Sequence, residues 1–138
     1  MTGLRISLVR LQLVLLDDHR AAREALVRRL CQCAGVDVAG HTADIDEAVE
    51  LLERHHPHAV LVDPRREDGA GIEAIASLAR VDMPVRPLVA AHASYFDADE
   101  WLGVRAAGAQ DWILKQFDVD ALVTRLSGAI ERGALTGH

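Results

Sequence analysis

Apolar positions along this chain follow two alternating rhythms. Segments of strand length recur at Gln12 to Leu16, Val36 to Thr42, His58 to Val62, Leu88 to Ala91 and Gln110 to Leu114, with unbroken apolar runs in Leu13 to Leu16, Ala59 to Val62, Leu88 to Ala91 and Trp112 to Leu114. Runs of this length, rich in Val, Leu and Ile, are what strands buried on both faces look like. Between them the apolar residues fall three and four apart, which is helical spacing. His19 to Cys33 carries Ala22, Leu26 and Leu30 at that spacing, with Ala25 and Val27 beside them. Asp44 to His55 places Ala48, Leu51 and Leu52 inward, and Asp118 to Glu131 places Leu122, Leu126 and Ile130 on one stripe. Gly71 to Arg80 and Asp97 to Ala107 complete five helices.

Punctuation agrees with this division. Asp18 is an expected N-cap and Gly35 an expected stop for the first helix. Asp44 with Glu47 has the spacing of a capping box, and Pro57 closes the helix that follows. Pro64 to Ala70 is a charged loop with an Asp68-Gly69 turn, and Gly108 stops the fourth helix.

Five strands alternating with five helices predict an α/β domain, a parallel sheet doubly wound by helices on both faces with right-handed crossovers. Alternation alone leaves the strand order open. At 138 residues the chain makes one domain, expected over Leu11 to Arg132, with a short arm from Met1 to Arg10 and a tail from Gly133 to His138. No apolar run approaches the ~20 residues of a membrane span, and the arm lacks the apolar core of a signal peptide.

Charge removes one function class. Net charge is −6, the wrong sign for a chain that binds nucleic acid by itself. Cys31 and Cys33, two apart on a helix, point to different sides, so a reducing cytoplasm fits better than a disulfide. They read as small core or boundary residues, with a redox switch as the alternative. His55, His56 and His58 flank Pro57 and read as a solvated turn rather than a metal site.

The chemistry lies at the ends of the strands. The first run ends in Asp17-Asp18, the third in Asp63, the fourth in His92, and the fifth in Lys115, the one lysine of the sequence. In open parallel sheets function gathers at the carboxyl ends of the strands. Three carboxylates with one ammonium form a magnesium and phosphoryl site, since magnesium takes hard oxygen ligands and keeps several waters. Asp63 would be a nucleophile toward phosphorus, with the cations neutralising the transferred oxygens. Each aspartate alone also suits a cap or turn.

The segments LVLLDDHRAAREAL, VLVDPRREDGAGIEAI, PLVAAHAS and AGAQDWILKQFDVDAL resemble the receiver domain of two-component response regulators, from about Leu11 to Arg132. The resemblance implies a flavodoxin-like (βα)5 fold with strand order 2-1-3-4-5 and a module that takes a phosphoryl group on Asp63 from a histidine kinase or phosphotransfer protein. It implies magnesium held by Asp17, Asp18, Asp63 and the main-chain carbonyl of Arg65, a phosphate contact from Lys115, and an aromatic switch position at Trp112. It implies no enzyme beyond slow self-catalysed phosphorylation and dephosphorylation. It also implies a cytoplasmic protein and, as an option, a homodimer through the last two helices.

His92 stands where this family normally has Ser or Thr, so it is an atypical switch position. It reads as a plain structural substitution, a pH- or phosphate-responsive contact, or part of a redesigned switch. Pro64 after the acceptor and Gln116 after the lysine also depart from the family pattern. Two other functions stay open: a receiver-like binding module independent of phosphorylation, and a magnesium-dependent phosphatase using Glu67 or Asp68 as general acid. Either the receiver stands alone, or the chain is cut from a regulator with a DNA-binding output domain.

Overall fold

The five strand-length segments form strands β1 (Leu11–Leu16), β2 (Val36–Thr42), β3 (Ala59–Val62), β4 (Leu88–Ala93) and β5 (Asp111–Leu114). Between and after them lie α1 (Arg20–Cys31), α2 (Ile45–His55), α3 (Gly71–Ala79), α4 (Ala98–Ala107) and α5 (Val119–Leu135). This computed structural model describes residues 10–135; all of the expected arm but Arg10 and the end of the tail lie outside the described residues, and Gly133 to Leu135, expected in the tail, continue α5. All strand pairings are parallel, in the order β2-β1-β3-β4-β5, as the family resemblance implied.

The unbroken apolar runs have a direct structural cause. Side chains alternate across a strand, and here both faces are covered. Leu13 and Leu15 of β1 and Leu61 of β3 pack with Leu26 and Leu30 of α1 and Leu122 and Leu126 of α5. Val14, Leu16, Val60 and Val62 face the other way, onto Leu52 of α2, Ile75 and Leu78 of α3 and Val104 of α4. A polar residue at any inner strand position would be buried on one face or the other. No helix among the described residues is long and apolar enough to cross a membrane.

Local details correct several sequence expectations. The N-cap of α1 is His19, without a side-chain cap, because Asp18 turns its carboxylate to the main-chain N–H of Glu67 at 2.9 Å. Ala22, expected inward, is exposed. Asp44 caps α2 through Asp46 N–H rather than through a reciprocal box with Glu47. Cys31 is exposed and Cys33 half-buried, so the first is neither core nor boundary. His58 is not merely solvated: its Nδ1 accepts the Gln12 main-chain N–H at 2.9 Å, and its own N–H donates to Gln12 O. It thus extends the β1–β3 ladder by one side chain.

One glycine fixes the loop that matters. A Cβ on Gly71 would lie 1.8 Å from the carbonyl oxygen of Pro64. The start of α3 therefore packs directly on the loop that leaves β3, one residue past Asp63.

Candidate functional site

Register explains why the charged residues meet. Leu16 pairs with Val62, and Val62 with Ala91. Asp17, Asp63 and His92 therefore occupy the next level of the sheet. The ladder extends to them, with Asp63 N–H donating to Leu16 O and Asp17 N–H to Thr42 O, each at 3.0 Å. His92 pairs with Ile113, and Lys115 lies two residues on, with the same facing. His92 is thus inside β4, which runs to Ala93, rather than past its end as the sequence suggested. Trp112 pairs with Ala91 and packs on the opposite face.

The side chains close a compact ionic cluster. Lys115 Nζ lies 2.8 Å from Asp17 Oδ2 and 2.6 Å from Asp63 Oδ2. Asp63 Oδ1 accepts the main-chain N–H of Arg65 at 2.8 Å. Asp63 and Asp17 are only 4% and 7% exposed, so these contacts act in a low-dielectric setting. Burial alone would raise the Asp17 pKa, but its bonds to Lys115 and His19 outweigh this and hold it low. Burial likewise works against the Lys115 ammonium, yet the two carboxylates raise its pKa.

His19 is the residue that sequence reasoning missed. Its Nδ1 sits 2.8 Å from Asp17 Oδ1, 3.2 Å from Asp63 Oδ2 and 3.4 Å from Asp18 Oδ1. Its hydrogen bond to Asp17 raises its pKa, which favours the protonated ring beside these carboxylates. The available signal was its place directly after two acids at a strand exit. Hydrophobic periodicity carries no information about such a residue.

The donor set fits magnesium. Asp17, Asp18 and His19 bring ligand-type atoms within 4.8 Å of one another, with Asp63 alongside through Lys115 and His19. Asp18 Oδ1 is buried without a hydrogen-bond partner. A carboxylate oxygen left so is costly unless a cation meets it. Magnesium prefers oxygen to imidazole, and His19, with its side chain 43% exposed, has room to turn outward.

His92 behaves unlike the others. It is 7% exposed, and burial followed by repulsion from Lys115 pushes its pKa down to about 4. It is a neutral imidazole beside the cluster. The acids considered for a phosphatase are differently engaged: Glu67 is exposed, and the Asp68 carboxylate is taken by Arg66 and the N–H of Ala70.

On the other face, Trp112 packs edge-on against Phe96 and Trp101, with ring centroids 5.5 and 6.4 Å away. Its indole N–H is buried without a partner, which costs about 1–3 kcal/mol.

Comparison with known proteins agrees with this geometry. The pattern of the response regulator receiver domain matches residues 13–127. The transcriptional regulatory protein DegU of Brevibacillus brevis is 31% identical over 126 residues, which cover 91% of this chain and 52% of that protein. The DNA-binding transcriptional activator DevR/DosR of Mycobacterium tuberculosis is 31% identical over 101 residues, 73% of this chain and 46% of that protein. The chain thus spans about half the length of these curated relatives. Among solved structures, the receiver domain of the putative response regulator NarL from Mycobacterium tuberculosis superposes with a TM-score of 0.76 at 24% identity, over 89% of this chain and 98% of that one. A response regulator from Thermotoga maritima gives 0.72 at 27% identity, over 89% and 99%. The shared region starts in β1, ends within α5 and contains every strand end of the ionic cluster: the chain belongs to the response regulator receiver domain family of two-component systems.

Proposed function

We infer that this receiver domain accepts a phosphoryl group on Asp63 from a histidine kinase or phosphotransfer protein in the cytoplasm. A carboxylate oxygen of Asp63 forms the new O–P bond as the P–N bond of phosphohistidine breaks, and the leaving imidazole takes up a proton. Lys115, already 2.6 Å from Asp63, is placed to follow the transferred oxygens and neutralise their charge. The Arg65 main-chain N–H holds the other carboxylate oxygen and fixes its orientation. Asp17, Asp18 and Asp63, with the main-chain carbonyl of Arg65, would hold magnesium, which supplies further neutralisation of phosphoryl charge when bound. The phosphorylated chain would then present a changed surface over α4 and α5 to a partner or a second copy. In a longer protein that partner would be a DNA-binding output domain, as the name of the DevR/DosR relative suggests.

The observation that carries this reading is the Lys115 bridge between Asp17 and Asp63, assembled from three strands at one sheet edge. Incubation with acetyl phosphate and magnesium, read by intact mass, tests it. One phosphoryl adduct on the wild type, absent in Asp63→Asn, is expected; an adduct of equal yield in both would overturn it.

His92 favours a second reading, a binding module that does not switch by phosphorylation, because a buried neutral imidazole replaces a hydroxyl at the cluster. That reading requires partner affinity to be the same in Asp63→Asn as in the wild type, with and without acetyl phosphate.

A further inference from the structure

Arg65 is held by two parts of the molecule at once. Its main-chain N–H donates to Asp63 Oδ1 at 2.8 Å. Its guanidinium reaches away to the β4–α4 loop and to α4. Nη2 donates to the main-chain oxygen of Tyr95 at 3.1 Å and to Glu100 Oε1 at 3.2 Å. Nε lies 3.1 Å from Glu100 Oε2. Cζ sits 3.6 Å above the Tyr95 ring centroid and 5.4 Å from that of Trp112. Glu100 belongs to the first turn of α4, where its own N–H is capped by Asp97 at 2.9 Å.

The clamp is half-buried and incompletely satisfied. The Arg65 side chain is 22% exposed, and its Nη1 is buried without a partner. A planar guanidinium with a spare donor can be drawn toward a stronger anion. A phosphoryl group on Asp63 would be such an anion, with nearly two negative charges against the single charge of Glu100.

We propose that Arg65 is the positioning residue through which phosphorylation of Asp63 reaches α4: the guanidinium shifts from Glu100 and Tyr95 toward the phosphoryl group and frees the first turn of the helix. The proposal rests on Asp63 being the phosphoacceptor. It gives this chain a route from the site to the α4 surface that needs no hydroxyl at position 92.

Amide NMR spectra of the whole chain, recorded before and after acetyl phosphate with magnesium, test it, with the adduct followed by intact mass. In the wild type the amides from Tyr95 to Leu102 shift on phosphorylation. Arg65→Ala keeps the main-chain N–H at Asp63, so the adduct forms. The α4 signals of unphosphorylated Arg65→Ala then already lie near their phosphorylated positions, and the change in the ratio of switched to unswitched signals on phosphorylation is at least about fivefold smaller than in the wild type, the low end of coupling between sites. Glu100→Gln leaves Arg65 in place and serves if Arg65→Ala does not fold. Its weakened clamp moves the unphosphorylated α4 signals part-way along the line toward their phosphorylated positions, which a merely structural role for the pair would not do. Arg65→Ala with a wild-type α4 response, or Glu100→Gln shifts off that line, overturns the proposal alone. Absence of any adduct on the wild type overturns the phosphoacceptor reading and the proposal together.

Discussion

Replacing His92 by threonine should remove a specific acid sensitivity of the fold. His92 is buried beside Lys115, with Asp17, Asp63 and Arg29 also contributing to the field at its ring. Its pKa falls from the ordinary 6.5 to about 4 in the folded chain, mainly through burial. The unfolded chain therefore binds a proton at this residue that the folded chain refuses. Stability from this source is complete above pH ~6.5, falls as pH drops below that value, and levels off below about pH 4. At 1.36 kcal/mol per pKa unit the full loss is about 3 kcal/mol, of which about 2 kcal/mol is lost by pH 5. Against a typical total of about 5–15 kcal/mol, such a loss is large. Urea unfolding at pH 7.5 and pH 5 measures it, and a slope of about 1–3 kcal/mol/M makes the difference a midpoint shift on the order of 1 M. The wild type should lose about 2 kcal/mol more than His92→Thr between the two pH values. His19 and the other histidines are present in both proteins and largely cancel. Equal losses in the two proteins would refute the reasoning, because His92 would then be protonated as easily folded as unfolded.

Gly71→Ala should destabilise by about 1–3 kcal/mol in urea unfolding, since the new Cβ meets backbone rather than a flexible side chain; an unchanged midpoint would show that the loop after Asp63 yields freely. His58→Phe should cost about 1–3 kcal/mol and speed exchange of the Gln12 amide, which loses its acceptor in a partly buried place. His19→Ala removes a ring whose Nδ1 lies within 3.4 Å of three carboxylates, so calorimetric magnesium affinity should rise; weaker binding would mean that His19 supports the metal site instead of filling it.

The sequence revealed the fold class because burial on both faces of the sheet leaves a nearly continuous apolar record in the central strands, broken only by Gln12 in β1 and His92 in β4. Leu13 and Leu15 serve one layer, Val14 and Leu16 the other, and no polar residue interrupts them. Strand order is a different matter. Crossover direction leaves no mark on local periodicity, and the order came from family resemblance. The acids and Lys115 were legible because charged residues directly after buried strands are rare and informative. His19 was not, since its role depends on where a loop returns the ring among carboxylates from two different strands. Asp18 looked like a helix cap because a short acid before a helix usually is one. Here a main-chain N–H forty-nine residues away claims it. Position 92 was found, but its burial within β4 depends on the register of β4 with β5.

Chemical trapping tests most directly whether Asp63 takes the phosphoryl group. Borohydride reduction of the acetyl phosphate-treated chain converts a phosphorylated aspartate to homoserine, and peptide mapping then locates it. Homoserine is expected at position 63, dependent on magnesium and lost or sharply reduced in Lys115→Met. Homoserine at Asp17 or Asp18 instead, or none under conditions that label another receiver domain, would contradict it.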